Sequence, residues 1–280
     1  MTVVDTQIHF RPVDEPGRPT DPTMHTGLGD EPFGPERFLP MMDGCGVDRA
    51  VITPPGFLQA NNAYALECVA EHPGRFGVMG LVDPTAGETP ARLAGWRSQP
   101  GMLGLRGSVT ELGRARWSSE EAAERFWAAC AEQRLPVAVM AAGALDYVDE
   151  LVARHPSLRL SVDHLGLPRI DSPWSEAWFS EIEALARHPD LVLKLSTLPA
   201  RSREPYPFSD THPLARHAYE TFGPERLMWG TDHTQTLGRE RATYCEEVRL
   251  VSEGLGFLNG SEREAILGGN ALRYLDWPGD

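Results

Sequence analysis

The chain has 280 residues, 41% of them hydrophobic and 24% charged, values of a globular protein long enough to bury a core. Its formal net charge of −14 excludes broad binding to nucleic acid or an anionic membrane surface, which would need a basic stripe that the sequence lacks. The longest apolar stretch, Pro136 to Leu145, is too short to span a bilayer, and residues 1–10 contain acidic and polar groups where a secretion signal would be expected to carry a basic start and an apolar core.

In chain order, the first element is Val3-Val4-Asp5-Thr6-Gln7-Ile8-His9-Phe10, a β-prone run that stops at a Pro/Gly-rich stretch. Alternation along a strand puts Asp5, Gln7 and His9 on one face, which makes a poor core and suits either a site or the polar outer face of an edge strand; the strand ends that follow favour the site. Further β-prone runs follow at Ala50–Thr53, Phe76–Val82, Met102–Val109, Pro136–Met140, Leu158–His164, Leu191–Leu198 and Leu227–Asp232. Amphipathic segments alternate with them at 35–46, 61–72, 88–98, 119–134, 144–155, 175–188, 212–222 and 239–255, with a last one at 261–275. Ser118-Ser119-Glu120-Glu121 reads as a capping-box start. Cys45, Cys68, Cys130 and Cys245 are widely spaced with no CxxC pair, so they are expected to be reduced, in a cytoplasmic protein.

Eight strands alternating with helices predict a (β/α)8 TIM barrel occupying residues 1–280 as one domain. A doubly wound open sheet is the alternative, but it would usually show a glycine-rich phosphate loop, and no G-x-G-x-x-G occurs. Active sites of such barrels lie at the C-terminal strand ends. Those ends carry Gln7 and His9, Arg106, Asp163 and His164, Lys194, and Asp232 with His233. Charges left unpaired in a barrel mouth cost several kcal/mol each, so these groups are expected to converge and compensate one another. Lys194 is the one lysine among 26 basic residues, and it interrupts an apolar run. Arg106 is expected either to contact substrate or to pair with Asp5 or another acid, and Lys194 to neutralise Asp232. Two long loops, 11–34 and 197–211, flank the mouth; Arg203 and Tyr206 on the second are candidate substrate contacts, and His25 on the first a closing residue.

The motif Asp5-Thr6-Gln7-Ile8-His9 resembles the strand-one D-x-H-x-H signature of the amidohydrolase superfamily, with Gln7 in the place of the first histidine. Asp163-His164-Leu165-Gly166 is similar to its strand-six histidine, and Trp229-Gly230-Thr231-Asp232 to its strand-eight aspartate. Nearly the whole chain resembles the amidohydrolase-related branch, which contains lactonases, galactarolactone isomerases and decarboxylases. The resemblance implies catalytic roles for Asp232, His9 and His164, and substrate contacts for Gln7, Arg106 and Lys194. It implies either no metal or a single divalent ion, zinc foremost, held by His9, His164 and Asp232. Gln7 and the strand-five Met140 stand where other members place ligands, which argues against a binuclear centre. Without metal, Asp232 would be the general base, with His9 and His164 donating to the developing oxyanion. The implied activity is hydrolysis of a small lactone or related cyclic ester or amide. The alternatives are an isomerase or decarboxylase, or a silent binding protein. The partner is a small organic acid or lactone, and Trp174 and Trp178, taken as exposed, leave room for a homodimer contact.

Overall fold

Aliphatic and β-branched runs too short to be helices pair side by side in the order in which they occur. In the computed structural model, residues 1–13, 32–55, 60–110, 113, 119–168, 170 and 175–279 are described. The strands are β1 (Val4–Ile8), β2 (Arg49–Ile52), β3 (Phe76–Gly80), β4 (Met102–Ser108), β5 (Pro136–Met140), β6 (Arg159–Val162), β7 (Val192–Leu195) and β8 (Leu227–Trp229). They form one parallel sheet in sequential order, β1 to β8, with helices in between. A doubly wound sheet would shuffle that order. The seam between β8 and β1 is drawn together by Thr6 Oγ1, which donates to Trp229 O (2.7 Å), and by the Asp232 N–H, which donates to Gln7 O (2.8 Å). The sheet is a (β/α)8 barrel, as expected.

The helices are α1 (Pro35–Cys45), α2 (Ala63–Glu71), α3 (Thr89–Leu93), α4 (Glu120–Glu132), α5 (Leu145–Arg154), α6 (Ala177–Leu185), α7 (Leu198–Arg201), α8 (His212–Phe222), α9 (His233–Leu237), α10 (Tyr244–Arg249), α11 (Gly260–Glu264) and α12 (Asn270–Leu275). Helix α4 starts at Ser119, whose side chain accepts from Ala122 N (3.1 Å); this is a simple serine cap rather than the predicted box. Full capping boxes stand instead at Thr243 with Glu246 and at Asn259 with Glu262.

Two apolar layers result. Val4, Val51, Met79, Leu103, Ala138, Val192 and Met228 fill the barrel interior. Tyr274, Leu275 and Trp277 join them and close the bottom. Neighbouring strand residues such as Ala50, Val78, Leu105, Val139 and Leu193 face outward to the helices. Leu, Val, Phe and Ile dominate the outer layer, while Val, Leu, Met and Ala with two large aromatics fill the inner one; burial at roughly 25 cal/mol per Å² of apolar surface drives the assembly.

The structure departs from expectation in three places. Cys45 and Cys245 are joined in a disulfide with Cα atoms 5.0 Å apart, linking the end of α1 to the start of α10; only Cys68 and Cys130 are free, both buried. Spacing hid the pair, because 200 residues separate its halves. Trp178 is not a surface residue: it is buried, its Nε1–H donating to Leu165 O (2.8 Å). Trp174 and His25 lie outside the described residues. The third departure is in β1. Its register against β2 slips between Asp5 and Ile8, where three steps along β1 match two along β2. Such a bulge reverses the facing of the residues beyond it. Val4 therefore points inward and Asp5 outward, while Gln7 and His9 come back to the inside.

Candidate active site

The polar groups at the mouth come from the last residues of strands, as with Gln7, Arg106 and Lys194, or from the residues just beyond them, as with His9, Asp163, His164 and Asp232. Strand β6 stops at Val162, after which His164 (φ 56°) and Leu165 (φ 57°) adopt left-handed backbone. Strand β8 stops at Trp229, and Asp232 (φ 54°) makes the turn into α9. Non-glycine residues in this region are uncommon and collect at functional sites.

The structure brings His9, His164 and Asp232 together. His9 Nε2 lies 3.4 Å from Asp232 Oδ1, and His164 Nε2 lies 3.7 Å from Asp232 Oδ2. Asp232 is 3% exposed. Burial pushes its carboxyl well above the usual carboxylate range, against the pull of Arg106. His9 Nδ1 is 2.7 Å from Thr53 O. A carbonyl only accepts, so Nδ1 carries the proton and Nε2 presents a lone pair to the site, 3.3 Å from Gln7 Nε2. Burial, and then Arg106, push His9 down to about 4; burial pushes His164 down to about 3, against Asp163. Both rings are therefore neutral near pH 7. The expected oxyanion donation from His9 is thereby corrected, because its one N–H is spent on Thr53. His164 keeps that capacity: when Ser196 Oγ donates to its Nδ1 (2.8 Å), the proton sits on Nε2, facing Asp232.

Asp163 gathers the cations. Lys194 Nζ is 3.0 Å from its Oδ1 and Arg106 Nε 3.3 Å from its Oδ2. Burial opposes ionisation, but Lys194 and then Arg106 overcome it and hold this carboxyl well below the usual range. Lys194 thus neutralises Asp163 and not Asp232 as expected, and its other hydrogens go to Gln7 Oε1 (2.8 Å) and Thr6 O (3.2 Å). Fully committed and 2% exposed, it is a structural cation of the mouth rather than a direct substrate contact. Arg106 pairs with an acid as one of the two expectations held, though with Asp163 and not Asp5; among the described residues its Nη groups have no hydrogen-bond partner.

Arg203 and Tyr206 do not join the cluster. The loop after β7 folds onto itself: Ser202 Oγ and the Arg203 N–H (2.8 Å) donate to Asp210, leaving the Arg203 side chain exposed. Tyr206 lies against the Arg249 guanidinium at 4.6 Å, near the outer helices. Sequence reasoning placed Asp163 at a strand end but gave it no role. Counting charge would have found one, since two strand-end cations need an acid beside Asp232. His233 points away from the mouth, and its Nδ1 meets Glu247 Oε1 at 2.6 Å with both residues buried. Nothing in spacing signals that pair.

As donors, two imidazole nitrogens and a carboxylate suit a single zinc-like ion, and His9 holds the tautomer and backbone anchor that ligand histidines have. Asp232 Oδ1 is a buried oxygen with no hydrogen-bond donor, which fits the same role. Among the described residues, however, no group of three or more such side chains is closed to metal-binding distances. A second cation would stand against Lys194 and Arg106.

The chain is 28% identical over 251 residues to an L-fucono-1,5-lactonase of Burkholderia ambifaria, covering 86% of this chain and 84% of that one. It is 28% identical over 268 residues to a D-galactarolactone isomerase of Agrobacterium fabrum, covering 91% and 84%. Among solved structures, an amidohydrolase from Burkholderia multivorans with bound zinc superposes with a TM-score of 0.80 at 22% identity, over 99% of this chain and 100% of its own. That likeness shows the fold. The amidohydrolase family model matches residues 4–277, and the chain belongs to that family.

Proposed function

We propose that this protein hydrolyses a small sugar-acid lactone, with Asp232 as general base. The carrying observation is the convergence of His9, His164 and Asp232 from three strand ends spread over more than two hundred residues of sequence. The lactonase relative supports the substrate class. In its ionised form Asp232 takes a proton from water, whose oxygen attacks the lactone carbonyl. His164 Nε2–H faces the oxyanion that develops. The ring C–O bond then breaks, and Asp232 returns the proton to the departing alkoxide. The Nη groups of Arg106, which have no hydrogen-bond partner among the described residues, suit a carboxylate or polyol oxygen of the substrate. Were one divalent ion bound, His9 Nε2, Asp232 and His164 Nε2 would hold it, His164 then in the other tautomer with its Nδ1–H donating to Ser196 Oγ, and the ion would supply a lowered pKa for coordinated water, towards ~7.

The test is proton release from L-fucono-1,5-lactone by purified protein. Asp232→Asn should lower kcat by about 10²–10⁴-fold, the usual contribution of a positioned base. An unchanged kcat would reject the assignment. Isomerase chemistry is the second reading, favoured by the D-galactarolactone isomerase relative. It requires a rearranged lactone with no net acid release, so the same proton assay separates the two.

A further inference from the structure

Asp232 holds a left-handed backbone (φ 54°), a conformation unfavourable for a residue with a Cβ that persists only where its surroundings over-determine it. The surroundings here are two buried acids on the outer side of the barrel wall. Asp5, turned outward by the β1 bulge, accepts from Thr231 N (2.8 Å), Thr231 Oγ1 (2.6 Å) and Tyr244 OH (3.1 Å). Glu247 accepts from His233 Nδ1 (2.6 Å), and the His233 N–H donates back to Thr231 Oγ1 (3.0 Å). Residues 231 and 233 are thus each tied to a different carboxylate, and Asp232 is the residue between them. Tyr244 and Glu247 lie three apart on one face of α10, so a single helix carries both anchors. Replacement of a buried His–Glu pair by apolar side chains is often neutral or stabilising, so stability alone is a poor reason for one behind this turn.

We propose that Glu247, acting through His233, and Asp5, acting through Thr231, are positioning residues that aim the Asp232 carboxyl into the barrel. The inference rests on Asp232 being the base. Glu247→Ala removes the acceptor, whereas Glu247→Gln keeps an oxygen for His233 Nδ1–H. With L-fucono-1,5-lactone, Glu247→Ala should lower kcat by about 10²-fold with KM little changed, the usual result of a misplacement near 1 Å. Glu247→Gln should restore kcat to within about fivefold, whereas Glu247→Met, which fills a similar volume but offers His233 Nδ1–H no oxygen, should stay near the level of Glu247→Ala; recovery by Glu247→Met would assign the loss to packing and overturn the proposal.

Amide hydrogen exchange supplies a readout free of substrate. The Asp232 amide, bonded to Gln7 O, should lose at least tenfold of its protection in Glu247→Ala but not in Glu247→Gln, with β3 and β4 amides unchanged. Thr231→Val, which cuts the side-chain bond to Asp5, should give the same local loss and serves if Glu247→Ala does not fold. Unchanged protection at Asp232, or an equal loss throughout the barrel, would overturn the proposal. Full turnover by Asp232→Asn would instead reject the base assignment and leave the exchange result standing.

Discussion

Asp163 and Asp232 are both buried carboxyls in the barrel mouth, two strands apart, yet their surroundings drive them in opposite directions. Asp163 is held ionised by Lys194 and Arg106, whereas burial keeps Asp232 prone to protonation. A pair of acids separated in this way is the pattern of divided acid–base labour. Asp232 must be ionised to act, so kcat/KM should rise with pH along a limb lying above the ordinary carboxylate range. A limb at the pKa of a free aspartate would contradict this. The histidines make the complementary prediction about stability. His9 and His164 titrate at about 4 and 3 in the fold, but near 6.5 when unfolded. Unfolding therefore takes up protons as pH falls below 6.5, and stability that is full above that value is lost on the way down to the folded pKa values, roughly 3 kcal/mol for His9 alone. Asp232 has the opposite sign, because its folded pKa is raised. Urea unfolding in the Asp232→Asn background removes that contribution and should show the loss between pH 7 and 5. Because the raised carboxyls of Asp5 and Glu247 work against that loss, the check is the slope relative to Asp232→Asn with His9→Gln; equal slopes would mean that the His9 ring is not buried neutral.

At the scale of elements, eight β-prone runs separated by amphipathic segments were enough to read all eight strands, because strand number and order follow from local pattern alone. Strand faces were less legible. Alternation put Asp5 beside Gln7 and His9, but one bulge in β1 turned Asp5 to the other side of the wall. His9, His164 and Asp232 were readable because each ends a strand. The His233–Glu247 pair was not, since α9 and α10 meet only through the fold. The β8–β1 seam is where element geometry tolerates least. A Cβ on Gly230 would come within 2.6 Å of Thr6 Oγ1 and 3.2 Å of Gln7 N, and the latter is backbone with little freedom to move. Gly230→Ala should therefore cost about 1–3 kcal/mol. It should also reduce turnover by shifting Gln7 and Asp232, which the seam bond joins. Denaturant unfolding and the lactone assay together check this; a variant as stable and active as the parent would show that the seam yields.

For the whole molecule, the decisive long-range link is covalent. The barrel closes β8 on β1, and Cys45–Cys245 adds a second closure outside it, tying α1 of the first strand–helix unit to α10 after the last strand. Unpaired cysteines were the reason to expect a reducing compartment, and the bonded pair removes that reason, since such bonds persist where conditions are oxidising. A cross-link across 200 residues restrains the unfolded chain strongly, and removing such a bond costs about 2–4 kcal/mol in ordinary cases. For a chain of this size that corresponds to a fall in Tm of about 3–7 °C. Oxidised protein unfolded without reductant should expose two thiols, Cys68 and Cys130, and reduced protein four. Cys45→Ser and Cys245→Ser should each lower Tm by the same amount as reduction, and the double variant by no more than either alone, because all three remove one bond. Additive losses, or four titratable thiols in the oxidised protein, would show that the two ends of the barrel are held by packing and the β1–β8 seam without a covalent tie.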